Sequence, residues 1–180
     1  MLETFLAETQ FSQVVKGNTT EFVWIDLSKN NGLLGKVNTS NTEVFAKYVN
    51  QFLNLNKAKI AVGGYNEPRN IYKRSKSFNS GELEERFIHL GVDLWTNAKT
   101  PVFAPLKGKI HSFKNNLGEG NYGPTIILAH QLKGQSFYTL YGHLTSKSLE
   151  KLKVGDVIES GEAFASVVCT IVCLVNHLDT

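Results

Sequence analysis

The 180-residue chain is poor in the features that mark several protein classes. It has two cysteines, four prolines and one methionine. The cysteines, Cys169 and Cys173 in "CTIVCL", lie in an apolar run at a spacing that matches neither a C-x-x-C redox pair nor a zinc knuckle, so buried reduced thiols are expected. No apolar run reaches the ~18 residues of a membrane span. The opening "MLETFLAETQF" lacks the basic start and unbroken apolar stretch of a secretory leader, which predicts a cytoplasmic chain unless the sequence begins after a cleaved leader. Net charge is only +3 and the densest basic run, "YKRSKS", has no interleaved aromatic stripe, so no nucleic-acid partner is expected. No repeat of 20 to 50 residues is present.

What remains is the composition of a globular protein: 42% apolar and 19% charged residues, long enough to bury a core. "EFVWIDLS" reads as a strand. "SNTEVFAKYVNQFLNL" reads as a helix, with Ser40 and Glu43 at capping-box spacing and Phe45, Tyr48, Val49 and Phe52 along one stripe. "KIAVGGYNEP" is a short strand that stops at a glycine pair. Residues 65–80, rich in Asn, Ser, Lys and Arg, predict a boundary, followed by a turn at "SGELEERF" and no second long helix.

Downstream, "PVFAPLKGKIHSF", "PTIILAH", "QSFYTLYGHL" and "DVIESGEAFASVV" alternate short strand-like runs with Gly, Asn, Pro and Lys punctuation, and turns are expected at Gly155 and Gly161. The expected class is α+β: a mostly antiparallel β sandwich or partial barrel over residues 81–180, preceded by a small α+β lead-in over 1–80. "GEGNYG", Gly118 to Gly123, fits the dinucleotide-binding spacing, but Pro124 and a β-branched run follow it where that motif needs a helix. A loop between strands is expected instead.

"FIHLGVDLW", Phe87 to Trp95, carries the chemistry. As a strand it places Ile88, Leu90, Val92 and Leu94 on one face and His89, Gly91, Asp93 and Trp95 on the other. Fully extended, His89 and Asp93 stand about 13 Å apart. A bend at Gly91 would bring imidazole and carboxylate to one ion of the kind that takes N and O ligands, as zinc does. Two further segments carry histidines: "YTLYGHL" places His143 on a strand face with Tyr141 and Thr139, and "NHLD" places His177 and Asp179 two apart, able to address one site from one strand. His111 and His130 read as ordinary sheet or loop residues.

"HLGVDLWTNAKTPVFAPLKGKI", "NYGPTIILAH", "FYTLYGHL" and "LKVGDVIESGEAFA", in that order, resemble the lysostaphin and LytM-type zinc metallopeptidases, whose fold is a β-rich duplicated hybrid motif. The lead-in "VGGYNEPRNIYKRSKSF" resembles that of an intracellular-looking branch of the family. The resemblance implies that His89 and Asp93 are zinc ligands and that His143 is a catalytic histidine. It implies too that His177 takes the first, catalysis-assisting position of the family's closing H-x-H and that Asp179 stands where the family has its last ligating histidine. With three protein ligands the ion keeps a fourth position for a water whose acidity it raises.

The implied substrate is a peptide of bacterial peptidoglycan or another peptide. The tail "SVVCTIVCLVNHLDT" departs from the family pattern and reads as a divergent ending, a truncation or a frameshift. A catalytically inactive binding or regulatory module, or a structural domain serving a fused or partner enzyme, stands beside the enzyme as an alternative.

Overall fold

A computed structural model describes residues 2–69, 88–118 and 121–168, and the backbone of 172–177. It is mostly β, with antiparallel sheets and two α-helices among the described residues: α1 (Leu2–Ala7) and α2 (Thr42–Leu55). The strands are β1 (Phe22–Ile25), β2 (Ile60–Gly63), β3 (Glu67–Pro68), β4 (Ile88–His89), β5 (Gly91–Trp95), β6 (Pro101–Phe103), β7 (Gly108–Asn116), β8 (Gly123–Leu132), β9 (Gln135–Tyr141), β10 (Val157–Ile158), β11 (Ala163–Ser166) and β12 (Val172–His177). Eight of them form one open sheet in the order β1-β2-β5-β12-β9-β8-β7-β10, and β11-β6 and β3-β4 form two small sheets.

The lead-in joins this sheet directly. β1 runs parallel to β2, with α2 as the crossover, and β2 then pairs antiparallel with β5, placing Gly63 opposite Asp93. The crossover helix is held by its apolar stripe: Phe45, Val49 and Leu53 pack with Ile25, Ala61 and Trp95 on one side of the sheet. Its cap is Asn41, whose side chain accepts from the N–H groups of Glu43 and Val44 at 3.0 and 3.1 Å. The expected Ser40 capping box is therefore corrected by one residue. Asn, as good a cap as Ser, sits where its oxygen reaches two of the free N–H groups of the first turn.

The second core fills the space between the large sheet and β6–β11. Leu94, Val102, Ile110, Ile126, Leu128 and Tyr141 are its centre, and the Tyr141 and Phe164 rings meet edge to face at 4.9 Å across the two layers. β8 and β9 are joined by Lys133-Gly134, with φ of 48° and 82°. Two positive φ values in a two-residue loop match the twist of the flanking strands, which fixes the hairpin register.

Gly155 and Gly161 also adopt left-handed φ, 92° and 77°, at the expected turns. β8 begins at Gly123, so a strand follows "GEGNYG" and no helix opens there. The expected turn at "SGELEERF", and with it most of the 65–80 boundary segment, lies outside the described residues, as do Cys169 and Asp179.

Candidate metal centre

The alternating run from Ile88 to Trp95 is buried in the reverse of the usual sense. Ile88 and Leu90 are exposed, whereas His89 and Asp93 are 7% and 4% accessible. The reason lies in the neighbours. β5 is an interior strand with a core on each side: Val92 and Leu94 face the inter-sheet core, and Trp95 faces α2. Asp93, on the α2 side, is covered by Arg69, itself 4% accessible.

His89 and Asp93 do come together, and the strand is interrupted one residue before the glycine. The ladder breaks at Leu90, between β4 and β5, while Gly91 remains in β5 and pairs with Val175. β4 leaves the large sheet to pair with β3, setting His89 opposite Glu67. The run thus changes sheets at Leu90. His89 Nε2 and Asp93 Oδ1 then stand 3.4 Å apart.

That distance bears on metal binding. It exceeds the ~2.7–3.2 Å of a well-made N–H···O hydrogen bond. Two donors at about 2.0–2.1 Å from a tetrahedral zinc are about 3.3–3.4 Å apart, the edge of the tetrahedron. The pair therefore fits two adjacent ligand positions on one ion. No group of three or more His, Cys, Asp or Glu side chains suited to a metal occurs among the described residues. A third ligand would have to come from outside them, and Asp179 lies there.

The second carboxylate oxygen is engaged from the other side. Arg69 Nη1 donates to Asp93 Oδ2, and Arg69 Nε donates to Glu67 Oε2 at 2.6 Å. Arg69 Nη2 points to the Gly64 carbonyl at 3.5 Å, and Glu67 Oε1 accepts from the Leu27 N–H at 3.1 Å. Burial acts to raise the Asp93 pKa, but the contact with His89 and the charge of Arg69 outweigh it, and the carboxyl is held below its ordinary range. Neither Arg69 nor Glu67 was singled out by the sequence, although the isolated charged pair in "NEPR" just after the glycine pair was a signal available there.

His143 is close enough for the charge of Asp93 to act on it. Burial pushes its imidazole below the usual histidine range, and Asp93 offsets only part of this. Contrary to expectation it does not share the strand face of Thr139 and Tyr141: β9 ends at Tyr141, and His143 lies beyond it with φ 55°. Its N–H donates to the Tyr122 carbonyl at 2.7 Å, and the two rings lie 6.2 Å apart.

Tyr141 is fully buried and its hydroxyl contacts Thr139 Oγ1 at 3.0 Å. His130, in β8, is buried in the same polar string, with Nε2 2.7 Å from Thr139 Oγ1 and Nδ1 3.0 Å from the Lys107 carbonyl. His111, in β7, lies beside Tyr138 at 4.9 Å between rings.

His177 is placed by backbone only. Cys173 stands opposite Asp93 and Val175 opposite Gly91, and His177 itself pairs with Tyr138 on β9. β12 ends at His177 among the described residues, so the single strand expected to carry both His177 and Asp179 is seen only as far as the first.

Residues 87–179, slightly over half of the chain, match the sequence model of Peptidase family M23. No curated protein matches the chain. Similar solved structures include a zinc-containing peptidase from Vibrio cholerae, at 21% identity over 49% of this chain and 26% of that one, with a TM-score of 0.39. Lysostaphin in solution is 24% identical over 52% of this chain and 38% of its own, with a TM-score of 0.42. The catalytic domain of the antimicrobial peptidase lysostaphin from Staphylococcus simulans is 24% identical over 52% of this chain and 70% of its own, with a TM-score of 0.43. The chain thus spans well under half the length of the first two.

Proposed function

Since the chain belongs to Peptidase family M23, we propose that it is a zinc-dependent metalloendopeptidase-like protein, with His89 and Asp93 as ligands and a peptide of peptidoglycan as substrate. The observation that carries this reading is the 3.4 Å separation of His89 Nε2 and Asp93 Oδ1, both of them buried. It is the spacing of two donors on one tetrahedral ion.

Bound there, zinc supplies Lewis acidity, both polarising a peptide carbonyl and acidifying a water. The protein's own groups do the rest. His89 offers Nε2 to the ion. Asp93 offers Oδ1 while Arg69 holds Oδ2, so the carboxylate stays ionised and in one orientation. His143, with its pKa lowered by burial, is neutral at pH 7 and so has a ring nitrogen free to take a proton from a water and return it to a leaving amine. Its left-handed backbone lies just past the end of β9, and its N–H is tied to the Tyr122 carbonyl. Asp179 as third ligand and His177 as assisting histidine complete the proposed set.

A non-catalytic binding module is the second reading, and one observation favours it. Arg69 already provides a buried positive charge to Asp93, so the carboxylate is neutralised without an ion. The two readings separate in one experiment: zinc content of the purified protein and cleavage of a peptidoglycan-type peptide, for the wild type and for His89→Ala. The enzyme reading expects near-stoichiometric zinc and cleavage, both lost in the variant. A metal-free, inert wild type would leave the module.

A further inference from the structure

A carboxylate with two equivalent oxygens can bind a metal through one or both, and a free side chain in a buried site can also turn away. Asp93 has neither freedom, because one oxygen is occupied by a guanidinium that Glu67 also holds. Arg69 bonds Glu67 Oε2 at 2.6 Å, approaches the Gly64 carbonyl at 3.5 Å and donates to Asp93 Oδ2. The fork-like geometry of Arg suits this, since its donors lie in one plane at fixed angles, whereas a lysine offers a single nitrogen with no fixed fork.

The space for it is made by Gly63. A Cβ at that position would lie 3.0 Å from Arg69 Nη2 and 3.4 Å from Asp93 Cβ. Glu67 is in turn tied to the backbone after β1 through the Leu27 N–H at 3.1 Å.

We propose that Arg69 is the positioning residue of the metal site: it captures Asp93 Oδ2 so that only Oδ1 is presented, beside His89 Nε2, to the ion. The inference rests on the metal-binding reading above. It also gives the lead-in a task, because Arg69, Glu67 and Gly63 come from it. The guanidinium does not repel the metal unopposed. Among the described residues, Glu67, Asp93 and Arg69 together carry one formal negative charge, which favours a cation. Partners behind a first ligand commonly contribute 10- to 100-fold in metal affinity, on the order of what is expected here.

The test uses the full chain and two probe metals. Zinc affinity is measured by competition with a chromophoric chelator, and cobalt binding by its visible absorption, for wild type, Arg69→Gln, Arg69→Lys and Glu67→Gln. Arg69→Gln is expected to bind zinc about 10- to 100-fold more weakly. Its cobalt complex should also absorb more weakly, because the freed Oδ2 can join the ion and raise its coordination number. Lysine should not restore the wild-type spectrum, and Glu67→Gln should lose several-fold in affinity.

A cooperative thermal melt checks that each variant is folded. Should Arg69→Gln not fold, Glu67→Gln decides, and an unchanged affinity there overturns the proposal. An Arg69→Gln protein with wild-type affinity and spectrum overturns it as well, leaving the metal reading intact. A wild type that takes up neither metal removes both.

Discussion

Replacing Asp93 by Asn in metal-free protein isolates the electrostatic part of the site. The substitution keeps the shape of the side chain but removes the charge facing Arg69 in a setting where both residues are 4% accessible. Breaking a buried pair from one side typically costs about 3–5 kcal/mol, because the remaining charge is left uncompensated. Here Glu67 still holds the guanidinium at 2.6 Å, so the lower end, about 3 kcal/mol, is expected. For a chain of this length that corresponds to a fall in Tm of about 6–12 °C.

The effect should also depend on pH with a definite sign. The folded-state pKa of Asp93 is depressed below its unfolded value of about 3.9, so between the two values the unfolded chain binds more protons. The stabilisation is therefore full above about pH 4 and is lost as pH falls through the folded pKa. Urea denaturation in the presence of a chelator, from neutral pH down to about pH 3, should show a constant gap between wild type and Asp93→Asn until about pH 4 and a closing gap below it. A gap under about 1 kcal/mol at neutral pH, or one that widens in acid, would refute the pairing described here.

Other consequences follow from single contacts. Gly63→Ala places a methyl 3.0 Å from Arg69 Nη2 and should cost about 1–3 kcal/mol by overpacking, read in the same denaturation assay. Phe45→Ala empties the space beside Trp95, whose ring it meets edge to face at 5.0 Å, and should cost about 3–5 kcal/mol with a change in tryptophan emission. Asn41→Ala removes the cap of α2 and should cost about 1 kcal/mol. Burial lowers the His130 pKa below its unfolded value of about 6.5, so its neutral form stabilises the fold above that pH and the contribution declines in acid. His130 ring protons followed by NMR should titrate below the unfolded value, and a titration above it would contradict the burial described.

The sequence made the strands legible wherever alternation and turn chemistry agreed. "KIAVGG" ends at Gly63, and the Lys133-Gly134 loop between two alternating runs forms the hairpin. The H-x-x-x-D spacing also led to a true juxtaposition, 3.4 Å between side-chain atoms. What local pattern could not tell was where the strand breaks. The interruption lies at Leu90, where β4 pairs with β3 and β5 with β2, an exchange fixed by residues far away in the chain.

Burial could not be assigned for the same reason. Alternation puts His89 and Asp93 on one face, but the core packed on that face is contributed by α2 and the lead-in. Arg69 escaped notice because its partner is 24 residues distant and no short motif links them. His143 was legible by type, yet its place beyond the end of β9 depends on a left-handed residue that a strand pattern conceals.

The central claim is that one divalent ion sits on the edge defined by His89 Nε2 and Asp93 Oδ1. Crystals grown with zinc and measured at the zinc absorption edge test it directly. The account predicts a strong anomalous peak within bonding distance of both atoms, about 2.0–2.2 Å from each. A zinc-soaked crystal with no peak there, and with Asp93 still bound to Arg69 beside an unligated His89, would contradict it.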